Sequence, residues 1–311
     1  MRNIIFLLCM LLLIDCKQDP EFVCEYYCNN IIDSNKINRK VLIVGIDGFR
    51  SDALLSSTTP FIYNMIEDKN VYYNFSHNTE LYTLSGPNWS SMLTGVHCNK
   101  HNVIDNSFSN SNYTEYPPFF YYIENSDIAN DINTISIVNW SPINTNILSS
   151  YVDHSDSKSN DSLVFLSVKD FLVGSTSISP DILFLQFDEL DGVGHNYGFS
   201  SNIPEYRNKL MILDNYVQQL YGFIQQRRDN GEDWLICIVS DHGGDGNSHS
   251  DGNNPYINKT ILIFEHPNLS FKQNYISNQT DIPANIFSFI GLYNELFNSK
   301  SDGELIFYGD D

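Results

Sequence analysis

An apolar run that ends in a carboxylate is the sequence feature that most restricts the fold of this chain. Residues 40–48 read Lys-Val-Leu-Ile-Val-Gly-Ile-Asp-Gly, so a continuous apolar stretch stops at Asp47. A strand covered on both faces has this composition, because neither face meets water. Comparable runs occupy 134–139, 181–187, 234–240 and 260–264. The sequence therefore predicts a central sheet of buried, mostly parallel strands.

Helical patterns separate these runs. The clearest is a stripe of apolar residues at helical spacing, formed by Tyr206, Leu210, Leu213, Val217, Leu220 and Ile224. Thr59-Pro60 predicts a shorter helix towards Asp68, and Asp281-Ile282-Pro283 predicts the start of another. Strands that alternate with helices indicate a three-layer α/β/α sandwich. No repeat, linker or composition break interrupts it, so we predict one domain over residues 40–311.

The first residues are typical of a secretory signal peptide. Met1-Arg2-Asn3 precedes an apolar run over 4–14, which is shorter than the about 20 residues that cross a bilayer. We predict a signal peptide over residues 1–19, a polar lead-in over 20–39, and a secreted or extracytoplasmic protein without a transmembrane segment. A lipid anchor on Cys16 is a less favoured alternative, because Asp15 precedes it.

The cysteines fit an oxidising compartment. Of the six cysteines, Cys24, Cys28, Cys98 and Cys237 lie beyond the signal peptide. Cys24 or Cys28 is a possible disulfide partner of Cys98, and Cys237 lies within a strand run, where we expect a buried free thiol. A glycoprotein is also predicted, from Asn-x-Ser/Thr triplets at Asn74, Asn112, Asn160, Asn258, Asn268 and Asn278.

The charge balance excludes one class of partner. The chain has 17 Lys and Arg against 38 Asp and Glu, a net charge of −21. A protein that binds polymeric nucleic acid needs a basic surface to meet the phosphates. We therefore expect no polymeric nucleic acid among its partners.

The segment 240–249 contains the strongest candidate ligands. Asp241 and His242 follow a predicted strand directly, and His249 comes after a glycine-rich turn. Imidazole nitrogens and carboxylate oxygens are zinc ligands. In open α/β sheets, ligands bind beyond the carboxyl ends of the strands, which is where Asp47 and Asp241 are expected. A polar turn without a metal is the weaker alternative.

A second pair of candidate ligands follows the strand at 181–187. Asp191 and His195 enclose Gly-Val-Gly, which would allow a loop to close on one cation. Asp188 and Glu189 are competing carboxylates nearby.

The segment 83–95 predicts a helix that carries a nucleophile. Pro87 suits the first turn of a helix and Gly95 suits its end. Ser85 then lies at the helix N-terminus, where backbone N–H groups favour an anion. A serine that only caps the helix is the alternative interpretation.

These segments together resemble the alkaline phosphatase superfamily, and within it the type I phosphodiesterase/nucleotide pyrophosphatase branch. The resemblance is carried by Gly-Ile-Asp-Gly-Phe-Arg (45–50), the Ser-Gly-Pro-Asn block (85–95), Asp-Gly-Val-Gly-His (191–195) and Ser-Asp-His-Gly-Gly (240–244). It covers about residues 40–310 and implies two divalent metal ions, usually zinc.

The resemblance also implies a role for each matching residue. One ion would be held by Asp47, Ser85, Asp241 and His242, and the other by Asp191, His195 and His249. Ser85 would be the nucleophile that becomes phosphorylated, and the Asn88 amide would hold a phosphoryl oxygen.

We therefore predict a secreted two-metal hydrolase that cleaves small phosphate esters, above all phosphodiesters or pyrophosphates, through Ser85. A phosphomonoesterase and a sulfatase of the same superfamily are alternatives, although Trp89 stands where the sulfatase pattern Cys/Ser-x-Pro-x-Arg has its arginine. Phosphoethanolamine transfer is another, although those relatives have membrane spans. A non-catalytic, metal-bound surface domain is the alternative outside the enzymes.

Overall fold

The computed structural model describes residues 31–32, 38–68, 70–126 and 131–308. Its strands are β1 (Ile31–Ile32), β2 (Arg39–Ile46), β3 (Val71–Asn78), β4 (Thr134–Val138), β5 (His154–Ser157), β6 (Ile182–Phe187), β7 (Asp233–Val239), β8 (Lys259–Glu265) and β9 (Leu292–Tyr293). Seven of them form the central sheet in the order β3-β8-β7-β2-β6-β4-β5, and β1 pairs with β9 in a separate antiparallel ribbon.

The sheet is parallel except at one side. β2 pairs in parallel with β6 and β7, β4 pairs in parallel with β5 and β6, and β8 runs antiparallel to β7 and β3. The carboxyl ends of β2, β6 and β7 therefore lie side by side at one edge. This is the place where the predicted ligands follow their strands.

The helices are α1 (Pro60–Met65), α2 (Ser85–Thr94), α3 (Cys98–His101), α4 (Phe119–Glu124), α5 (Asp161–Leu172), α6 (Glu189–Tyr197), α7 (Pro204–Asp229), α8 (Pro255–Asn258), α9 (Asp281–Ile290) and α10 (Glu295–Lys300). A short 3-10 turn (Ser51–Ala53) and a π-helix (Ile143–Leu148) complete the helical elements of the described residues.

Two apolar cores cover the two faces of the sheet. Val41 and Ile43 of β2 pack into one core with α2, α4 and α9, whereas Leu42 and Val44 pack into the other with α1, α5 and α7. Successive strand residues point to opposite faces, so both faces of β2 are apolar because both are covered. The predicted α/β/α sandwich with a mostly parallel sheet is confirmed.

The predicted elements form where the apolar signal is strong. The five apolar runs are β2, β4, β6, β7 and β8, and every residue of the predicted stripe on α7 is buried. The edge strands β3 and β5 were not predicted, because β3 is a mixture of polar and half-exposed aromatic residues and β5 reads His-Ser-Asp-Ser.

Several predictions concern residues outside the described part of the chain. They include the signal peptide, Cys16, Cys24, Cys28 and most of the lead-in. Cys237 is a buried free thiol as predicted, and Cys98 is also buried and free. Among the described residues, no helix has the length and apolarity needed to cross a membrane.

Removing the central side chain of the α7 stripe should destabilise the fold. Leu213 is 1% exposed and Met211 on the same helix is 49% exposed. We expect Leu213→Ala to lower the free energy of unfolding by about 2–5 kcal/mol, because it leaves a cavity against the sheet. Met211→Ala is the matched control and should change it by less than about 0.5 kcal/mol. Equal free energies of unfolding for the two variants, measured by urea titration, would contradict this packing.

Candidate metal and catalytic centre

Asp47 and Asp241 meet because their strands are neighbours. Asp47 follows β2 and Asp241 follows β7 at the same edge of the sheet, and both side chains are completely buried. His242 Nε2 lies 3.4 Å from Asp47 Oδ1 and 3.3 Å from Asp241 Oδ2. Ser85 Oγ lies 3.3 Å from the same nitrogen. The structure thus brings together all four residues expected at the first ion, and we call them the inner cluster.

Asp191, His195 and His249 form a second group, which we call the outer cluster. His195 Nε2 is 3.3 Å from Asp191 Oδ2, and His249 Nε2 is 3.1 Å from His195 Nε2 and 3.8 Å from Asp191 Oδ1. The His195 side chain is 42% exposed, whereas Asp191 is 17% and His249 7% exposed. This cluster therefore opens towards solvent.

Asp191 and His195 lie on the helix α6, so the prediction that they lie in a loop is wrong. They are four residues apart on α6, so successive helical turns place both side chains on one face. Of the two glycines between them, Gly194 has another role. A Cβ on Gly194 would lie 2.3 Å from the Phe199 ring, so the glycine allows that ring to pack against the helix.

The two clusters touch through their histidines. The His242 and His249 rings stack with 3.8 Å between their centroids. Ligand atoms of Asp191, His242 and His249 lie within 4.8 Å of one another, and so do those of Asp47, Asp241 and His242. Two cation sites would therefore share a border at His242.

Backbone carbonyls fix the orientation of all three histidines. The Nδ1 atoms of His242, His249 and His195 lie 2.8 Å from Gly243 O, 2.6 Å from Thr83 O and 2.9 Å from Asn247 O, respectively. A carbonyl oxygen only accepts, so each Nδ1 carries a proton. Burial lowers the pKa of His242 and of His249, so Nε2 of these two neutral rings presents its lone pair, whereas the hydrogen bond with Asp191 raises the pKa of His195 to about 9. Metal-binding histidines are commonly held in this way.

In the two clusters, three buried carboxylate oxygens have no hydrogen-bond partner: Asp47 Oδ1, Asp191 Oδ1 and Asp241 Oδ2. Burial, followed by repulsion from Asp241, raises the pKa of Asp47 well above its usual value. Burial and repulsion from Asp191 raise the pKa of Asp241 to about 7. Buried oxygens of this kind require a partner. The donor set, in which carboxylate oxygens face imidazole Nε2 atoms, fits zinc.

Ser85 is the first residue of α2 and does not cap it. Leu84 is the N-cap, and its own side chain makes no capping hydrogen bond. Pro87 lies in the first turn and Gly95 ends the helix at φ 72°, as the sequence predicts. The Ser85 hydroxyl therefore faces the inner cluster from a helix N-terminus.

Asn88 does not have the free amide that the sequence reading assumes. Its Nδ2 donates to Tyr82 O at 3.0 Å and to Leu84 O at 2.7 Å, and its Oδ1 accepts from Glu80 N at 2.9 Å. The side chain is completely buried. Both N–H groups are engaged by the backbone, so Asn88 supports the loop before α2 and has no donor left for a ligand.

Asn106 is an amide at the helix N-terminus that sequence analysis missed. Its Oδ1 accepts from Gly86 N at 2.7 Å, and its side chain is exposed. Three residues of this loop, Asn102, Phe108 and Asn110, have φ between 55° and 65°, a backbone strain that persists only where surrounding contacts hold it. The local sequence does not predict that this loop packs against α2, because the contact joins residues that are distant in the chain.

Arg50 connects the loops that carry the ligands. Its Nη1 donates to Phe199 O at 2.5 Å and to Gly244 O at 3.2 Å, and its guanidinium lies 4.2 Å from the Tyr256 ring centroid. The residue is only 6% exposed, and its Nε and Nη2 also donate to the two carboxylate oxygens of Asp52 at 2.8 and 2.7 Å. Arg50 joins the segment after β2 to the segments after α6 and β7.

The fold defines the class of the protein, an alkaline phosphatase-like α/β sandwich. The murine ectonucleotide pyrophosphatase/phosphodiesterase 5, as an inactive variant in complex with AMP, superposes with a TM-score of 0.64 at 15% identity, over 86% of this chain and 97% of that chain. A 2-O GAG sulfatase superposes with a TM-score of 0.61 at 13% identity, over 86% of this chain and 73% of that chain. The periplasmic domain of the Escherichia coli phosphoethanolamine transferase EptC, in complex with Zn, gives 0.57 at 13% identity over 84% and 85%. At these identities the similarity concerns the fold.

Sequence similarity identifies the family. Residues 41–281 match the model of the type I phosphodiesterase/nucleotide pyrophosphatase family, and the chain belongs to this family of ester-bond hydrolases. Human bis(5'-adenosyl)-triphosphatase ENPP4 is 26% identical over 234 residues, which are 68% of this chain and 48% of that protein. The Bos taurus protein of the same name is 25% identical over 237 residues, which are 66% of this chain and 47% of that protein. The chain thus spans about half the length of these curated relatives. The predicted superfamily and branch are confirmed.

Zinc should stabilise the metal-free protein. A ligand that binds only the folded state adds RT ln(1 + [L]/Kd), about 4 kcal/mol at a thousandfold excess over Kd. We expect zinc to raise the midpoint of thermal unfolding, and Asp241→Asn to reduce this shift. Asp245→Asn, which alters an exposed carboxylate of the same loop, is the matched control and should keep it. A wild-type midpoint that does not respond to zinc would contradict the assignment of these clusters.

Proposed function

We propose that this protein is a two-metal hydrolase that cleaves small phosphodiesters or pyrophosphates with Ser85 as its nucleophile. The observation that carries the proposal is the position of the Ser85 hydroxyl, which starts a helix and faces a buried cluster with unpaired carboxylate oxygens. Membership of the type I phosphodiesterase/nucleotide pyrophosphatase family supports the reaction class.

The two clusters would hold two zinc ions. Asp47, Ser85, Asp241 and His242 would bind one, and Asp191, His195 and His249 the other. When bound, two such ions polarise the phosphorus–oxygen bonds and neutralise the charge of an in-line displacement. Zinc in the structure of EptC supports the choice of metal, although EptC resembles this chain in fold alone.

Ser85 performs the covalent chemistry. Its Oγ forms a bond to phosphorus while the bond to the leaving oxygen breaks on the opposite side, and the leaving group takes up a proton. Water then hydrolyses the phosphoserine ester and restores the hydroxyl. Phosphoryl transfer depends mainly on positioning and charge, so the fixed helix that presents Ser85 is the main contribution of the fold.

Donors at the start of α2 would stabilise the phosphoryl oxygens. In the first turn Pro87 has no N–H, Gly86 N donates to Asn106 Oδ1, and Asn88 N donates to the carbonyl of the N-cap residue at 3.4 Å. Ser85 N is therefore the backbone donor of this turn that remains for an anion. The Asn106 amide lies at this turn through its contact with Gly86 N, and its Nδ2 has no hydrogen-bond partner among the described residues. We assign to Asn106 the role expected of Asn88.

A small substrate suits the charge distribution. The net charge of −21 repels polymeric nucleic acid, whereas a small phosphate ester meets the cations and the helix N-terminus. The printed name of human ENPP4 describes a bis(5'-adenosyl)-triphosphatase, and the murine relative was solved with AMP. These relatives favour nucleotide pyrophosphates among the candidate substrates.

A sulfatase is the second candidate, since a 2-O GAG sulfatase has a similar fold. Trp89, whose indole contacts Asp47, replaces the arginine that the sulfatase pattern requires. A panel with an aryl phosphodiester, an aryl phosphate, an aryl sulfate and a dinucleoside polyphosphate separates these reactions. Chelator-sensitive turnover confined to the sulfate would contradict the proposal, and no turnover at all would favour the non-catalytic surface domain.

We further propose that the protein acts outside the cytoplasm. The predicted signal peptide supports this location, and Asn268 is an accessible glycan acceptor because its side chain is exposed. In Asn74, Asn112 and Asn258, by contrast, the side-chain amide donates to a backbone carbonyl.

Ser85→Ala should abolish turnover. Loss of the attacking oxygen is expected to lower kcat by about 10³-fold or more on an aryl phosphodiester. Metal content should remain near that of the wild type, because six other candidate ligands are unchanged. Ser85→Thr is the matched control, since it keeps a hydroxyl at this position, and it should retain measurable activity. Wild-type rates in Ser85→Ala would exclude Ser85 as the nucleophile.

Asn106→Ala should lower kcat by about 10²–10³-fold, the usual cost of losing one donor to a developing oxyanion. The free energy of unfolding should fall by about 0.5–2 kcal/mol, because the hydrogen bond from Gly86 N at the start of α2 is also lost. Ser107→Ala alters the neighbouring exposed residue of the same loop and serves as the control. Equal kcat values for the two variants would remove Asn106 from the proposed mechanism.

A further inference from the structure

We infer that Trp89 is a positioning residue that fixes Asp47, and with it Ser85, in the geometry needed to bind the inner cation. The inference rests on the proposed function, because it concerns the same cluster. It assigns a task to the residue that distinguishes this chain from the sulfatase pattern.

The contact is a buried hydrogen bond between an indole and a carboxylate. Trp89 Nε1 donates to Asp47 Oδ2 at 3.0 Å, and neither residue is exposed. Gln186 Nε2 donates to the same oxygen at 3.2 Å. Oδ2 therefore has two donors, while Oδ1 has no hydrogen bond and lies 3.4 Å from His242 Nε2. The two donors select which oxygen of Asp47 faces the cation.

The same helix presents both the indole and the nucleophile. Ser85 and Trp89 are four residues apart on α2, so their side chains leave the helix on the same face. A shift or rotation of α2 that moved the Ser85 hydroxyl would also break the hydrogen bond to Asp47. The indole thus couples the position of the nucleophile to the orientation of a metal ligand.

The strand β2 leaves room for the Trp89 ring. A Cβ on Gly45 would lie 2.4 Å from Trp89 Cη2, so only glycine leaves room for the six-membered ring. Gly45 precedes Asp47 by two residues and therefore faces the same side of β2. Phe184 of β6 closes the other side, with its ring edge-on at 5.9 Å between centroids. The ring is enclosed by β2 and β6 and cannot turn its N–H away from Asp47.

Gln186 explains why removal of the Trp89 indole should weaken cation binding and not abolish it. Its Oε1 accepts from Asn139 N at 3.2 Å and Trp140 N at 2.9 Å, which fixes its NH2 group towards Asp47. One of two donors to Oδ2 therefore remains when the indole is removed. Loss of an outer partner of a ligand typically costs about 10–100-fold in metal affinity or activity.

The test compares Trp89→Phe with Trp234→Phe. Trp234 is also fully buried, and its Nε1 donates to a carboxylate, Glu232 Oε2, at 2.6 Å. Both variants lose a buried indole N–H, but only Trp89 contacts the inner cluster. We expect Trp89→Phe to weaken zinc binding by about 10–100-fold in competition with a chromophoric chelator. The kcat for an aryl phosphodiester should fall by a similar factor while KM changes little, and Trp234→Phe should match the wild type.

A spectroscopic measurement keeps the inference testable if Trp89→Phe does not fold. The chain has three tryptophans, so Trp140→Phe/Trp234→Phe leaves Trp89 as its single indole. Zinc binding withdraws charge from the carboxylate that accepts from Trp89, and its emission should shift during the titration. Emission that is unchanged while zinc binds would overturn the inference.

The outcomes separate this inference from the proposed function. A wild-type protein that binds no zinc overturns both. A wild-type protein that binds zinc and hydrolyses the diester, with equal zinc affinities and kcat values for Trp89→Phe and Trp234→Phe, overturns the role of Trp89 alone. A selective loss in Trp89→Phe, with far-ultraviolet circular dichroism like that of the control, supports it.

Discussion

The structure of the site depends on carboxylates that are buried without enough partners. Asp47 and Asp241 are enclosed at the carboxyl edge of the sheet, and each retains an oxygen with no hydrogen bond. Like charges this close in an apolar surrounding destabilise one another, so the arrangement is unfavourable unless protons or cations neutralise it. Much of the surrounding structure directs these oxygens and the imidazole nitrogens towards common points.

The supporting contacts come from backbone groups more than from side chains. Carbonyl oxygens orient the three histidines, and Gly48 N donates to Asp241 Oδ1 at 3.2 Å. Thr83 is linked to His249 in both directions, since its carbonyl accepts from the imidazole and its hydroxyl donates to the His249 carbonyl. This link ties the loop before α2 to the outer cluster. Ser85 therefore depends on both clusters, on one side through this loop and on the other through His242.

The sequence predicted the parts of the protein that depend on local patterns. β2 was recognisable because both of its faces are covered, and α7 because its stripe faces a core. Family motifs predicted which residues gather around His242 and His249. β5 could not be predicted, since a short polar edge strand differs little from a loop. Asn106 could not be predicted either, because its contact with Gly86 N joins residues that are 20 positions apart in the chain.

The location of Asp191 and His195 on α6 has a consequence for how the two clusters would acquire cations. The backbone hydrogen bonds of a helix hold this pair at its spacing, so the outer cluster can exist before any ion arrives. The half-exposed His195 also gives it an opening to water. The inner cluster has no comparable opening, because Asp47, Asp241 and His242 are buried. An ion at the outer cluster would therefore exchange with the medium readily, whereas one at the inner cluster would stay through many turnovers. The supply of metal ions would then regulate the protein through one site and not through both.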